Sequence, residues 1–214
     1  MRLFKPTAAV AALLSLGLAG CAREGDIQAT GILTSYTACP PVALIAPAGD
    51  VTLFNPETSR DANAIDVVAT ITNLRSTCND SGEHIVTAAT FDVQAVRRDN
   101  RGARDIVLPY FASVVQGDNN VVAKRVSRVG LHFDDGSYRA TAAGTATSQV
   151  LRSAATLPED IRTQITRERR PGDADAAVDP MADPAVRAAV QRAHFEVLIG
   201  FDLTADQLRY NATR

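Results

Sequence analysis

The side chains able to do chemistry in this chain are sparse, and their spacing limits what they can do. His132 and Asp134 lie two residues apart, with Asp135 beside them. On a strand, side chains two apart share a face, so the pair is a two-ligand start toward a metal site. A metal needs three or four ligands, and a solvated strand end beside a turn accounts for the pair more simply. His194 and Glu196 repeat the spacing and the same account. Asp173, Asp175, Asp179 and Asp183 lack the DxDxDG order of a calcium loop and read as a charged, solvated linker. GxSxG, SxxK, GxGxxG and GxxxxGK are all missing, so neither an activated serine nor a phosphate loop has a signature. No catalytic residue, metal ligand or cofactor is expected.

One segment gathers charge. Residues 121–133 set Lys124, Arg125 and Arg128 among Val122, Val126, Val129 and Leu131. These three cations are the candidate ligand-binding residues, for an acidic partner or an anionic lipid headgroup. The alternative is an ordinary edge strand, where charge discourages aggregation. Elsewhere the balance is mildly acidic, with 24 Asp and Glu against 22 Lys and Arg, and gives no electrostatic footprint for nucleic acid. With no Trp, 4 Tyr and 7 Phe, a carbohydrate platform of stacked rings is not expected either.

The start of the chain is more specific. Arg2 and Lys5 are followed by a charge-free run from Thr7 to Gly20, rich in Leu, Ala and Val. That is the layout of a secretory signal, and the run is too short for a helix to cross a bilayer core. Its end, Leu18-Ala19-Gly20-Cys21, resembles the lipobox of bacterial lipoproteins. The resemblance implies diacylation of the Cys21 thiol, cleavage before it and acylation of the new amino terminus. Two or more acyl chains anchor stably where one would be marginal. Ala22, in place of an Asp, implies by the same resemblance the periplasmic face of the outer membrane, with the inner membrane second. Cleavage leaves 194 of 214 residues and, by removing Arg2 and Lys5, moves the formal charge from -2 to -4. Such a chain suits one domain. If Cys21 carries lipid, Cys39 and Cys78 are left as an even pair in an oxidising compartment, and a disulfide between them follows. Zinc is the competing use, but there is no CxxC, and His84, His132 and His194 are scattered.

The elements that must position these groups are mostly strands. After a tether at residues 21–30, strands are expected at 31–38, 42–45, 51–54, 66–74, 85–97, 105–115, 121–133 and 138–150, separated by turn chemistry. The best alternation is at 85–97, with Ile85, Ala89, Phe91, Val93 and Ala95 on one face. Asp134-Asp135-Gly136-Ser137 and the Gly117–Asn120 stretch suit hairpins. Beyond 157 the character changes. A polar helix opens at Pro158 and runs to about 170, then an acidic linker spans 171–183 and a short helix ends near Ala193. Residues 194–204 return as a strand with Phe195, Val197, Ile199, Phe201 and Leu203 on one face, before a last helical turn at 205–210.

The expected fold is therefore mainly β: an antiparallel β-sandwich with short C-terminal helices. It forms a single domain over 31–214, with a helix–linker–helix insertion at about 157–193. In general shape this resembles immunoglobulin-like domains, although the chain has no Trp and its Cys39–Cys78 spacing is shorter than the usual inter-sheet pair. The ending GFDLTADQLRYN, with the lipobox and Cys39-Pro40, resembles bacterial lipoproteins of an uncharacterised family. The expected function is a membrane-anchored periplasmic lipoprotein, non-enzymatic, that serves as a structural or interaction module for an envelope protein partner. A second reading is a small-ligand or lipid-binding envelope protein, which calls for a deep apolar cavity between the sheets. A hydrolase or metalloenzyme comes third and calls for His132 or His194 clustered with carboxylates in a cleft.

Overall fold

The structure, a computed structural model, describes residues 37–167, 169 and 172–213. The signal segment, Cys21, the tether and most of the strand expected at 31–38 lie outside the described residues. The two described members of that strand, Thr37 and Ala38, are not in a strand. By their contacts the described residues fall into a body, 37–165 with 178–213, and a separate stretch, 166–177.

Eight strands make up the body: β1 (Val42–Leu44), β2 (Asp50–Phe54), β3 (Ile65–Asn79), β4 (His84–Arg97), β5 (Arg104–Gln116), β6 (Asn120–Phe133), β7 (Arg139–Leu151) and β8 (Phe195–Phe201). They form two four-stranded sheets, ordered β1-β8-β5-β6 and β2-β3-β4-β7. Every pairing is antiparallel except β1 with β8. The protein is a mainly β sandwich with three short helices, α1 (Glu159–Thr166), α2 (Pro184–Ala193) and α3 (Ala205–Thr213).

Alternation in sequence becomes alternation in burial. Along β4 the inward positions are buried and the outward ones exposed or half-buried from end to end. Phe91 and Val93 of β4, Ile71 of β3, Leu108 and Tyr110 of β5, Leu131 and Phe133 of β6 and Ile199 and Phe201 of β8 meet in the main core. Removing such apolar surface from water is the chief force holding two sheets face to face. A smaller cluster closes one end, with Ile85, Val114, Val150, Ala155 and Phe195 packed beside Ala38 and Cys39. There Cys39, on the run into β1 of one sheet, is bonded to Cys78 on β3 of the other, with Cα atoms 6.1 Å apart. Closing a loop of this length contributes about 4 kcal/mol through the unfolded chain.

Pro109 sits in β5, a central strand, where a missing N–H is normally a defect. Here it is harmless. The β5–β8 register ends at Tyr110 opposite Phe201, and the Asp202 amide donates to the Pro109 carbonyl at 2.9 Å. In an antiparallel strand a residue's N–H and C=O point the same way. The missing N–H of Pro109 would therefore have faced the side on which β8 has already ended.

At the opposite end of the sandwich Arg97, only 2% exposed, holds two loops together. Its Nε donates to the Ser137 carbonyl at 2.7 Å, Nη1 to Gly102 at 2.8 Å, and Nη2 to Asn100 and Asp134, both at 2.8 Å. The guanidinium also lies 5.1 Å over the Phe133 ring.

The C-terminal third matches in kind and differs in extent. α2 begins as expected, with the Asp183 side chain accepting from the Ala185 amide at 2.8 Å and Val186, Ala189 and Ala193 buried. α1 stops at Thr166, short of 170. None of its side chains is buried, so its length rests on propensity alone, which supports only a short helix. Within 166–177, Arg167 and Arg169 both reach the Asp175 carboxylate. None of the described helices is long and apolar enough to cross a membrane.

Candidate functional site

The structure settles the geometry of the histidine candidates. His132, near the end of β6, places Nδ1 2.7 Å from Asp105 of β5 and Nε2 3.4 Å from Asp134. All three side chains are exposed. The hydrogen bond with Asp105, helped by its charge and that of Asp134, raises the imidazole pKa above 6.5. The two carboxylates approach opposite ring nitrogens, so the three groups do not converge on one point where an ion could sit. Among the described residues no group of three or more His, Cys, Asp or Glu side chains is placed to hold a metal ion. His194 Nε2 pairs with Glu196 at 2.9 Å on another strand. Asp179 and Asp183 cap helical turns, accepting from the Met181 and Ala185 amides.

The basic segment has a more distinctive setting. β6 is the last strand of one sheet and β7 the last strand of the other, so each has one edge unpaired within the sheets. The turn at 134–137, expected as a hairpin, is instead a crossover between the sheets, because β6 and β7 face different partners. Near this crossover β6 buries Val129, Leu131 and Phe133 against the core. Over the other half of β6, residues 120–126 are exposed on both faces and Ser127 is half-buried. The strands thus leave an open seam between the sheets. Two adjoining pockets, of about 210 and 280 Å³, lie along it. Ala112, Arg125 and Thr147 line both, with Tyr110, Ser127 and Ala146 toward one end and Val114, Ala123 and Ser148 toward the other.

Within this seam the three cations part company. Arg125 stands opposite Ala112 in the β5–β6 register, on the inward face, and lines both pockets. Lys124 and Arg128 stand opposite Ser113 and Pro109, on the outward face, with Lys124 also bordering the second pocket. Lys124 is engaged there, 2.9 Å from Asp202 and 4.6 Å above the Phe111 ring. β6 and β7 together carry Lys124, Arg125, Arg128 and Arg139 and no Asp or Glu. The edge is positive without an internal counter-charge.

The inner wall is built of small and hydroxylic side chains. Thr87 and Ser148 face each other across the β4–β7 register, 2% and 8% exposed, and neither hydroxyl has a hydrogen-bond partner among the described residues. A buried hydroxyl normally finds a partner. The sequence carried a trace of this pair. Thr87 interrupts the apolar series Ile85, Ala89, Phe91, and Ser148 interrupts Ala146, Val150. Above them, Tyr110 donates to the Thr145 carbonyl of β7 at 2.6 Å and stacks edge-on against Phe91 at 5.1 Å. Phe91 lies over Gly144 so closely that a Cβ there would come within 2.2 Å of the ring. This array can accept hydrogen bonds, donate hydroxyls and neutralise an anion. It holds no nucleophile–base pair.

No family model, curated protein or solved structure matches the chain.

Proposed function

We propose that the protein is a lipid-anchored module of a bacterial cell envelope, held through Cys21 at the periplasmic face of the outer membrane, and that it acts by binding another envelope protein. The observation that carries this reading is the pairing of the cysteines. Cys39 and Cys78 are joined to each other. That leaves Cys21, directly behind Leu18-Ala19-Gly20 and the charge-free run, as the odd one of three. A disulfide that staples two sheets also fits an exported protein, because thiols stay reduced in the cytosol.

A binding role is supported by the open, positively charged seam. It is favoured over a lipid carrier by the filled interior between the sheets. The centre of the sandwich is filled by Phe91, Phe133, Phe201, Leu131 and Ile199, each less than 2% exposed. The described pockets beside the basic strand are small and open at its edge.

Mass spectrometry of the mature protein from membranes tests the anchor. An acylated Cys21 at the amino terminus is expected, together with release of the Cys21→Ala variant from the membrane fraction. An unmodified Cys21, or a terminus elsewhere, overturns the localisation.

A further inference from the structure

We infer that the free edge of β6 takes up an extended acidic segment of the partner protein, which adds as a strand beside Val121–Val126 residues of this chain and drops a carboxylate into the seam between β6 and β7. The inference deepens the interaction reading above and rests on it.

Three independent observations point to this occupant. First, β6 offers a long edge, unpaired among the described residues, whose Val121, Val122 and Val126 are 58%, 47% and 51% exposed. An exposed apolar edge is a template for main-chain pairing, and folded proteins normally shorten or cover it. Second, the charge is one-sided. Neither edge strand carries an acidic residue, and Arg125 and Arg128 have no carboxylate partner among the described residues. An acidic strand supplies the missing counter-charge, whereas a second copy of β6 would bring arginine against arginine. Third, Ser148, 8% exposed as a residue, borders the pocket beside Arg125, and its buried hydroxyl has no partner among the described residues. A carboxylate entering there could accept from both groups, and a charge-assisted pair in a half-dry site is among the stronger polar contacts.

The choice of β6 over β7 also follows from the structure. The carbonyl of Thr145 on β7 is already taken by the Tyr110 hydroxyl, so β7's rim is partly closed from within. No comparable side chain caps residues 121–126 of β6 among the described residues.

The test uses the purified full-length chain and a capped peptide of about eight residues, an ordinary strand length, alternating Val or Thr with Glu. Its counterpart carries Lys at the Glu positions. Amide exchange of residues 121–127 is followed by NMR with and without peptide. The Glu peptide is expected to slow exchange along β6 selectively, to bind less well as salt rises, and to lose about tenfold in affinity with Arg125→Glu. Ser148→Ala should weaken binding about threefold while leaving stability unchanged or higher, since it removes a buried hydroxyl that has no partner. That combination separates a ligand contact from a structural one.

Several results would overturn the inference. One is equal binding of the Lys peptide, or protection on β7 in place of β6. Another is no binding at about 1 mM peptide. A third is β6 amides already protected in the free chain by its own residues 22–36, and a fourth is protection that appears with rising protein concentration alone and so reports a second copy. Because Cys21→Ala should bind the peptide as the parent does, a failure of the lipid anchor and a failure of strand addition give different results.

Discussion

The hydroxyl of Tyr110 on β5 donates to the backbone carbonyl of Thr145 on β7, 2.6 Å away, so a side chain of one sheet ties down the edge strand of the other. That bond marks the boundary between the packed part of the sandwich and the open seam. Tyr110 is itself held edge-on by Phe91, which in turn rests on Gly144. Four residues on three strands thus form one column through the middle of the fold.

Tyr110→Phe keeps the ring and removes only the inter-sheet bond. A loss of about 1 kcal/mol is expected, the ordinary net worth of a hydrogen bond whose acceptor can regain water. Urea denaturation measures it. Exchange at amides of β7 should rise more than at β3, because the loosened strand is an edge.

Gly144→Ala puts a methyl group where the fully buried Phe91 ring already lies. Destabilisation of about 1–3 kcal/mol is expected, as for other overpacked cores. Trimming the ring should relieve it. Phe91→Leu combined with Gly144→Ala should be less destabilised than the sum of the two single changes, a coupling that a double-mutant cycle reads directly.

Arg97→Met removes the donors that the carbonyls of Asn100, Gly102, Asp134 and Ser137 share, while keeping an apolar stem over Phe133. Hydrogen bonds to a charged donor are worth more than neutral ones, and a loss of about 2–4 kcal/mol is expected. Arg97→Lys should recover little of it, because an ammonium cannot reach four carbonyls in the plane of a guanidinium. Chemical denaturation of the three proteins decides this.

Asp105→Asn tests the histidine cluster. In the folded chain the Asp105 carboxylate stabilises protonated His132 and raises its pKa above 6.5. The linked stability is therefore fully present at pH below the unfolded value and is lost as pH rises through the folded pKa. NMR titration of His132 should show the raised value in the parent and a fall toward 6.5 in Asp105→Asn. A parent His132 titrating at or below 6.5 would show that the contact does not persist in solution.

Cys39→Ser with Cys78→Ser should lower stability by about 4 kcal/mol in the loop-entropy account. The parent in strong reductant should unfold at nearly the same denaturant concentration as the double variant. The sheet ladders should survive, because neither cysteine takes part in the main core.

Much of the sandwich was legible because period-two patterning is local. Residues 85–97 announce their inward face by themselves, and Gly117, at positive φ, stands in the β5–β6 hairpin turn where the sequence places it. Gly136, also at positive φ, turns the chain from one sheet to the other and closes no hairpin. The boundaries that shifted lie where local signals compete. β3 runs on to Asn79, past a register shift between Thr72 and Arg75, because pairing with β4 continues there although alternation has faded. α1 falls short because its polar pattern buries nothing.

The site was legible only in part. Lys124, Arg125 and Arg128 could be picked out as a cluster, but which of them faces the seam depends on a register that pairs Arg125 with Ala112. Thr87 and Ser148 are 61 positions apart along the chain (148 minus 87) and become neighbours only through the β4–β7 pairing. Arg97 reads as a surface cation at a strand end until the loops around Gly102 and Ser137 close over it.

What this chain's sequence determines by itself is local: alternating strands, glycine turns, a capped α2 and three cysteines, one of them directly behind Leu18-Ala19-Gly20. Those follow from side-chain period, backbone sterics and thiol chemistry, which act within a few residues. Tertiary structure alone decided the order of strands, the fact that the Cys39–Cys78 disulfide expected from the cysteine count joins the two sheets, and the seam that brings Arg125 and Ser148 to one pocket. These depend on contacts between residues far apart in the chain, and they are set by how two apolar faces find their best fit.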